Sequence, residues 1–342
     1  MQRRNILKAG VAGSVIAGAP MVLRAQQAYK AEYKMSTVVG PAFAWGKGAE
    51  IFANIVRERT GGRINIKQYP GSSLVQGQQD REFSAMRQGI IDILVGAPVN
   101  WSGTVKECGM WALPFLFPDH KAYDAAIASE VMTKDFFDVI RKAGAEPLAV
   151  GETGYRQLSN SKRPVIKPDD VKGLKVRIVA SPMYNEIMSG MGANPTAMSW
   201  ADAQPALASG AVDGQENPLE VFLAAKINTL GQKFVTKWNY SNDILLFAIA
   251  NPIFSAWSAA DQKIVREAAQ EAARQQIKMV REHFATDVQK VSALGVQVHV
   301  PTPAEMEQWQ IACRRPYARW KASISPTMIG KVEAVVAASR KG

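Results

Sequence analysis

Tyr33-Lys-Met-Ser-Thr-Val-Val39, the run Gly46 to Arg59, Gly61-Gly62, Arg63-Ile-Asn-Ile-Lys-Gln-Tyr69, Gln78 to Gln88 and Ile90-Ile-Asp-Ile-Leu-Val95 follow one another in close succession. The first, fourth and last of these are short apolar or alternating segments, the pattern of strands. Gly46 to Arg59 carries Ala49, Phe52, Ala53 and Val56 on one helical face. Gly61-Gly62 stops it, because glycine tolerates the left-handed conformation past a helix end. Gln78 to Gln88 reads as the next helix. A strand-helix-strand-helix-strand order predicts an α/β protein with a parallel sheet, whose ligands bind beyond the carboxyl ends of the strands.

Upstream lies Met1-Gln-Arg3-Arg4-Asn-Ile-Leu-Lys8, then an uncharged apolar run from Ala9 to Leu23, then Arg24-Ala25-Gln26. A basic start, a short apolar core and a small residue at the cut point describe an export signal over 1–25, cleaved near Ala25, and place the mature chain in the periplasm. The paired arginines resemble a twin-arginine signal, with an ordinary secretory signal as the alternative. Loss of Arg3, Arg4, Lys8 and Arg24 lowers the net charge from +11 to +7. The remaining basic residues are dispersed, so a nucleic-acid partner is not expected.

A second unit begins near residue 153. Leu174-Lys-Val-Arg-Ile178 reads as a strand with Lys175 and Arg177 on one face, Met183 to Gly190 as a helix, and Ser199-Trp-Ala-Asp202 as a capping box opening a helix that ends at Gly210. Ile244-Leu-Leu-Phe-Ala-Ile-Ala250 suits a strand buried on both faces. Ser258 to Leu294 predicts one long helix, capped by Ser258 with Asp261, striped by Ile264, Ala268, Ala272, Met279 and Val280, and stopped at Gly295. At ~1.5 Å per residue it spans roughly 55 Å, more than one domain of this size, so it should touch both units. A break near Thr286 is the alternative.

Taken alone, Arg177 reads as an arginine solvated at a strand end, with a planar fork that holds a carboxylate in two parallel hydrogen bonds as the alternative, and Asp213-Gly214-Gln215-Glu216-Asn217-Pro218 reads as a turn with solvated polar residues. His120 falls in a turn, His283 in the long helix and His299 in a strand, all structural, and no nucleophile, phosphate-loop or dinucleotide motif accompanies them, so an enzyme is not expected. No metal or cofactor is expected. Cys108 and Cys313 are two isolated cysteines whose pairing the spacing does not determine.

Seven ordered segments together resemble the DctP-type solute-binding proteins of tripartite ATP-independent periplasmic (TRAP) transporters. They are Ala49 to Arg59 with Gly61-Gly62-Arg63, Gln88 to Asp92, Leu113-Pro-Phe-Leu-Phe117, Tyr155-Arg156 with Ser159-Asn160, Asp170 to Arg177, Gly192 to Thr196, and Val212 to Pro218. The resemblance implies a two-domain periplasmic binding protein fold, type II-like, with a cleft between domains and a long helix spanning both. It implies 26–152 plus about 243–283 as domain I and 153–242 plus about 284–342 as domain II. It implies capture of a small organic anion for TRAP permease subunits of the inner membrane, by a protein expected to be monomeric. A periplasmic sensor or scavenger with the same binding chemistry is the alternative.

By the same resemblance, Arg177 pairs with the ligand carboxylate, Arg156 is a second cationic contact, Asn217 donates to the same group and Trp200 packs on the ligand, with Trp45, Gln79 and Asn100 contributing from domain I. The family usually has Glu where Asp202 stands, and an unbroken helix behind it. Pro205 removes an amide donor there, so a local change of backbone is expected.

Overall fold

The computed structural model describes residues 29–341, so the export signal expected over 1–25 lies outside the described residues. Two sheets organise the chain. The first comprises β1 (Tyr33–Ser36), β2 (Ile66–Tyr69), β3 (Ile93–Gly96), β4 (Ala145–Tyr155) and β10 (Asn242–Ala250), in the order β2-β1-β3-β10-β4. β1 pairs in parallel with β2 and β3, as the opening segments predict. β10 inserts antiparallel between β3 and β4, so the sheet is mixed rather than parallel. Every residue of β10 is buried, the physical counterpart of its unbroken apolar run.

The second sheet contains β5 (Gln157–Asn160), β6 (Lys175–Ile178), β7 (Asn194–Ala197), β8 (Gly214–Asn217), β9 (Phe234–Thr236) and β11 (Gln297–His299), ordered β11-β9-β5-β8-β6-β7. The segment read as a solvated turn is here a central strand: β8 is buried throughout, between β5 and β6. Its polar residues misled because their partners are remote in sequence. Gly214 opens the strand because a Cβ there would lie 2.2 Å from the Ser159 carbonyl oxygen.

Helices α1 (Ala44–Arg59), α2 (Glu82–Arg87), α3 (His120–Ala128) and α4 (Phe137–Ala143) surround the first sheet, while α5 (Pro182–Gly190), α6 (Trp200–Ser209) and α7 (Leu219–Ala224) accompany the second. α8 (Asn251–Ala256) leads into α9 (Ala259–Ala293), one unbroken helix of 35 residues without a break at Thr286. Ser258 caps it through Asp261 as expected. Its buried stripe is Val265, Ala268, Ala269, Ala272, Ala273, Gln276 and Val280. Ala268, Ala272 and Val280 are buried as expected, whereas Ile264 and Met279 are only half-buried and Val265, Ala269, Ala273 and Gln276 complete the face. α9 packs on α1 and β4, then on α7 and β11, and so joins both lobes.

The segment 284–342, expected to belong to the second unit, is shared. α10 (Pro303–Arg314) packs on α5, whereas α11 (Tyr317–Ile324) rests on residues 106–112 and α12 (Pro326–Ser339) on α3. α12 buries Ile329, Val332 and Val336 in doing so.

Local signals hold with three adjustments. Ser199 caps α6 by accepting the Asp202 N–H, but the Asp202 carboxylate takes the Ser199 hydroxyl rather than returning to its backbone, so the reciprocal box is incomplete. Pro205 sits inside α6 without breaking it. His120 begins α3, capped by Asp119, rather than lying in a turn. Cys108 and Cys313 are both buried and unbonded.

Candidate functional site

The two lobes meet over a cavity with ≈ 600 Å³ of empty space, mouth included. Most of its wall is apolar, contributed by Val38, Val39, Phe43 and Trp45 from the first lobe and Val179 and Trp200 from the second. All seven residues expected at the site, Arg177, Arg156, Asn217, Trp200, Trp45, Gln79 and Asn100, line it.

Arg177 projects from β6, whose neighbour β8 places Gln215 opposite it. Its side chain is 1% exposed, so the solvated strand end read from spacing is overturned. Nε and Nη2 donate to the Met198 carbonyl at 3.1 and 2.8 Å, and no carboxylate pairs with it among the described residues. Burial, with the like charge of Arg156, pulls its pKa down to about 10 against the opposing pull of Glu216. The guanidinium carbon stands 5.6 Å from the centre of the Trp200 ring, which accommodates a cation but does not neutralise it.

Arg156 differs in kind. Its fork grips both carboxylate oxygens of Glu216, and Nη2 also reaches the Glu216 carbonyl at 2.6 Å and Asn217 Oδ1 at 3.1 Å. Tyr240 donates to Glu216 from the far side at 2.8 Å. Burial pulls the Arg156 pKa down, but the charge and hydrogen bonds of Glu216 outweigh it and the net shift is upward. Arg156 therefore lines the cavity with its charge already matched. Asn217 is oriented by this pair, because Oδ1 accepts from Arg156 while Nδ2 donates to Gln215 Oε1 at 2.5 Å.

From the first lobe, Trp45 is pinned by Nε1 donating to the Val95 carbonyl at 2.7 Å. Gln79 Nε2 donates to Asn100 Oδ1 at 2.9 Å, and Gln79 Oε1 accepts the Trp200 backbone N–H at 2.9 Å. The cavity floor includes Gln276 of α9, whose amide bonds both the N–H and the carbonyl of Glu152, where a register shift between β4 and β10 skips Thr153. Sequence reasoning missed Gln276, Glu216 and Glu220. Gln276 was detectable as a polar residue at four-residue spacing between Ala272 and Val280. Glu216 and Glu220 had no comparable signal, since their partners Arg156 and Ala44 lie 60 and 176 positions away. His120, His283 and His299 lie against Glu152, Asp287 and Glu305 and do not line this cavity.

A buried, unmatched guanidinium at a cleft between two α/β lobes that share a long helix is the arrangement of a two-lobe binding protein for an organic anion. The chain belongs to the DctP family of bacterial extracellular solute-binding proteins, family 7, whose model matches residues 35–323. It is 32% identical over 254 residues to the 2,3-diketo-L-gulonate-binding periplasmic protein of Escherichia coli (strain K12), covering 73% of this chain and 75% of that one. A TRAP periplasmic solute-binding protein from Ralstonia eutropha H16, solved with bound (S)-2-acetolactate, is 53% identical, with a TM-score of 0.88 over 90% of this chain and 99% of that one. Another from Sulfurospirillum deleyianum, solved with succinate, is 28% identical, with a TM-score of 0.81 over 89% and 98%. Members of this family bind carboxylates for delivery to a TRAP permease; they are transport proteins rather than enzymes.

Proposed function

We propose that this chain captures a small monocarboxylate with a hydroxyl or oxo group beside the carboxylate and hands it to the membrane subunits of a TRAP transporter. The observation that carries this reading is the charge count at the cavity wall. Arg156 is matched by Glu216, which leaves Arg177 as the one unmatched cation among the described lining residues. One unmatched guanidinium suits one carboxylate, held in two parallel hydrogen bonds. The apolar wall suits a short hydrocarbon body, and the second amide N–H of Asn217, beyond the one given to Gln215, suits the same carboxylate. The bound 2-acetolactate of the Ralstonia protein, a 2-hydroxy-3-oxo monocarboxylate, supports the same class.

In this reading Arg177 and Asn217 fix the carboxylate, Trp200 covers its body, and Trp45, Gln79 and Asn100 close over it as the lobes hinge together. The export signal over 1–25 brings a monomeric chain to the periplasm, where the closed form is the one a permease recognises. Melting temperatures across matched mono- and dicarboxylates test the ligand class. A true ligand at ~100 times its dissociation constant adds about 2.7 kcal/mol, enough for a shift of a few degrees. Larger shifts with dicarboxylates than with monocarboxylates at equal concentration would overturn the reading. Terminal sequencing of exported protein checks cleavage near Ala25.

A further inference from the structure

Glu220 is the one acid among the described residues lining the cavity, and a trap for anions gains nothing from it by Coulomb attraction. It sits at the start of α7 in the second lobe and is 7% exposed. Its Oε1 accepts the N–H of Ala44, the first residue of α1 in the opposite lobe, at 2.8 Å. α1 needs that acceptor, because Phe43 precedes it and supplies no side-chain cap. Glu220 thus caps α1 from across the cleft. Burial pushes its carboxyl pKa up, while the Ala44 N–H opposes that rise, as does the positive end of α1. His283 and Asp287 of α9 act on it with opposite signs.

We propose that Glu220 is the specificity determinant that rejects a second negative charge. The inference rests on the monocarboxylate reading above. With one carboxylate of a ligand on Arg177, the rest of the molecule lies in the same cavity as Glu220, whose carboxylate is itself buried and so is screened by salt less than an exposed charge. A second carboxylate there must either protonate Glu220 or strip it from α1. A methyl, hydroxyl or oxo group meets no such opposition. The closing contact and the selective contact are then the same side chain, so a dianion weakens closure as well as binding.

The test compares 2-acetolactate with 2-hydroxy-2-methylmalonate, which replaces the acetyl group by a carboxylate of nearly equal size. Calorimetry of the full mature chain gives the affinity ratio of the two for wild type, Glu220→Gln and Glu220→Met. Glutamine keeps an acceptor for Ala44, methionine keeps neither acceptor nor charge, and either alone is sufficient if the other fails to fold. The expected result is a wild-type ratio favouring 2-acetolactate that falls at least tenfold in the variants. A wild-type preference for the monocarboxylate that persists in the variants would overturn the role of Glu220 and leave the monocarboxylate reading standing. A wild-type preference for the malonate overturns both.

Discussion

Gln79 and Trp200 meet across the cleft, the Gln79 carboxamide oxygen accepting the Trp200 backbone N–H at 2.9 Å. Asn100 holds that carboxamide in place through its other end, at 2.9 Å. The bond joins two lobes, so opening the cleft breaks it. Alongside it, Val38 and Val39 of the first lobe pack into one apolar cluster with Trp200, Leu207 and Phe222 of the second. The lips are sealed by burial and fastened by hydrogen bonds.

Gln79→Ala should therefore weaken ligand binding roughly fivefold to tenfold, from the loss of about 1 kcal/mol of net hydrogen bonding. The effect should fall on the dissociation rate, since the bond forms after the ligand has entered. Stopped-flow fluorescence of the cleft tryptophans separates the rates; a purely associative defect would contradict a closing role.

Arg177→Ala should abolish the ligand-induced rise in melting temperature without lowering the ligand-free value. Burial, with the like charge of Arg156, pulls the guanidinium down to a pKa of about 10, a cost on the order of 3 kcal/mol. Removing it relieves that cost and deprives the ligand of its partner. A ligand-free variant that melts well below wild type would show that Arg177 holds the fold instead.

Glu82 predicts a pH signature. Fully buried beneath Ser36, which donates to it at 2.7 Å, its carboxyl is pushed up to about 7 by burial. A folded-state pKa above the unfolded value means stability that is complete below pH ~4.5 and is lost as the pH rises toward 7. Glu82→Gln, neutral throughout, should shrink the difference in unfolding free energy between pH 4.5 and pH 8 by on the order of 3 kcal/mol relative to wild type. Urea titrations at the two pH values check it, and an unchanged difference would place the ionised form in the fold.

Cys108 and Cys313 should behave as two inert thiols. Both are buried and unbonded, and burial pushes both pKa values up. A thiol reagent should titrate two groups per chain in denaturant and essentially none in the folded protein. A single-step loss of both on oxidation without denaturant would contradict this.

Much of the architecture could be read from local pattern. The parallel β1-β2-β3 start, the Gly61-Gly62 stop, the Ser258 cap, the buried β10 and the uninterrupted α9 each depend on residues within a few positions of one another. Pro205 shows the limit of such reasoning: it removes a donor inside α6, yet packing of Trp200, Ala203 and Leu207 keeps the helix whole. α12 shows another limit, since nothing in its own stripe of Ile329, Val332 and Val336 states which lobe it will cover.

The site divides the same way. Arg177, Arg156 and Asn217 stood out as residue types and by family resemblance, but spacing alone made the first a solvated arginine and the last part of a turn. Pairing is what the linear chain conceals. Glu216 and Glu220 differ by four positions, yet one neutralises Arg156 and the other caps a helix in the opposite lobe.

By itself the sequence determined the elements, because hydrophobic period, caps and stops act over a turn or two of chain. Only the tertiary structure decided which of two arginines carries a free charge. That outcome depends on which carboxylate the sheets bring within hydrogen-bonding distance, and β8 carries Glu216 to Arg156 and leaves Arg177 facing the cavity.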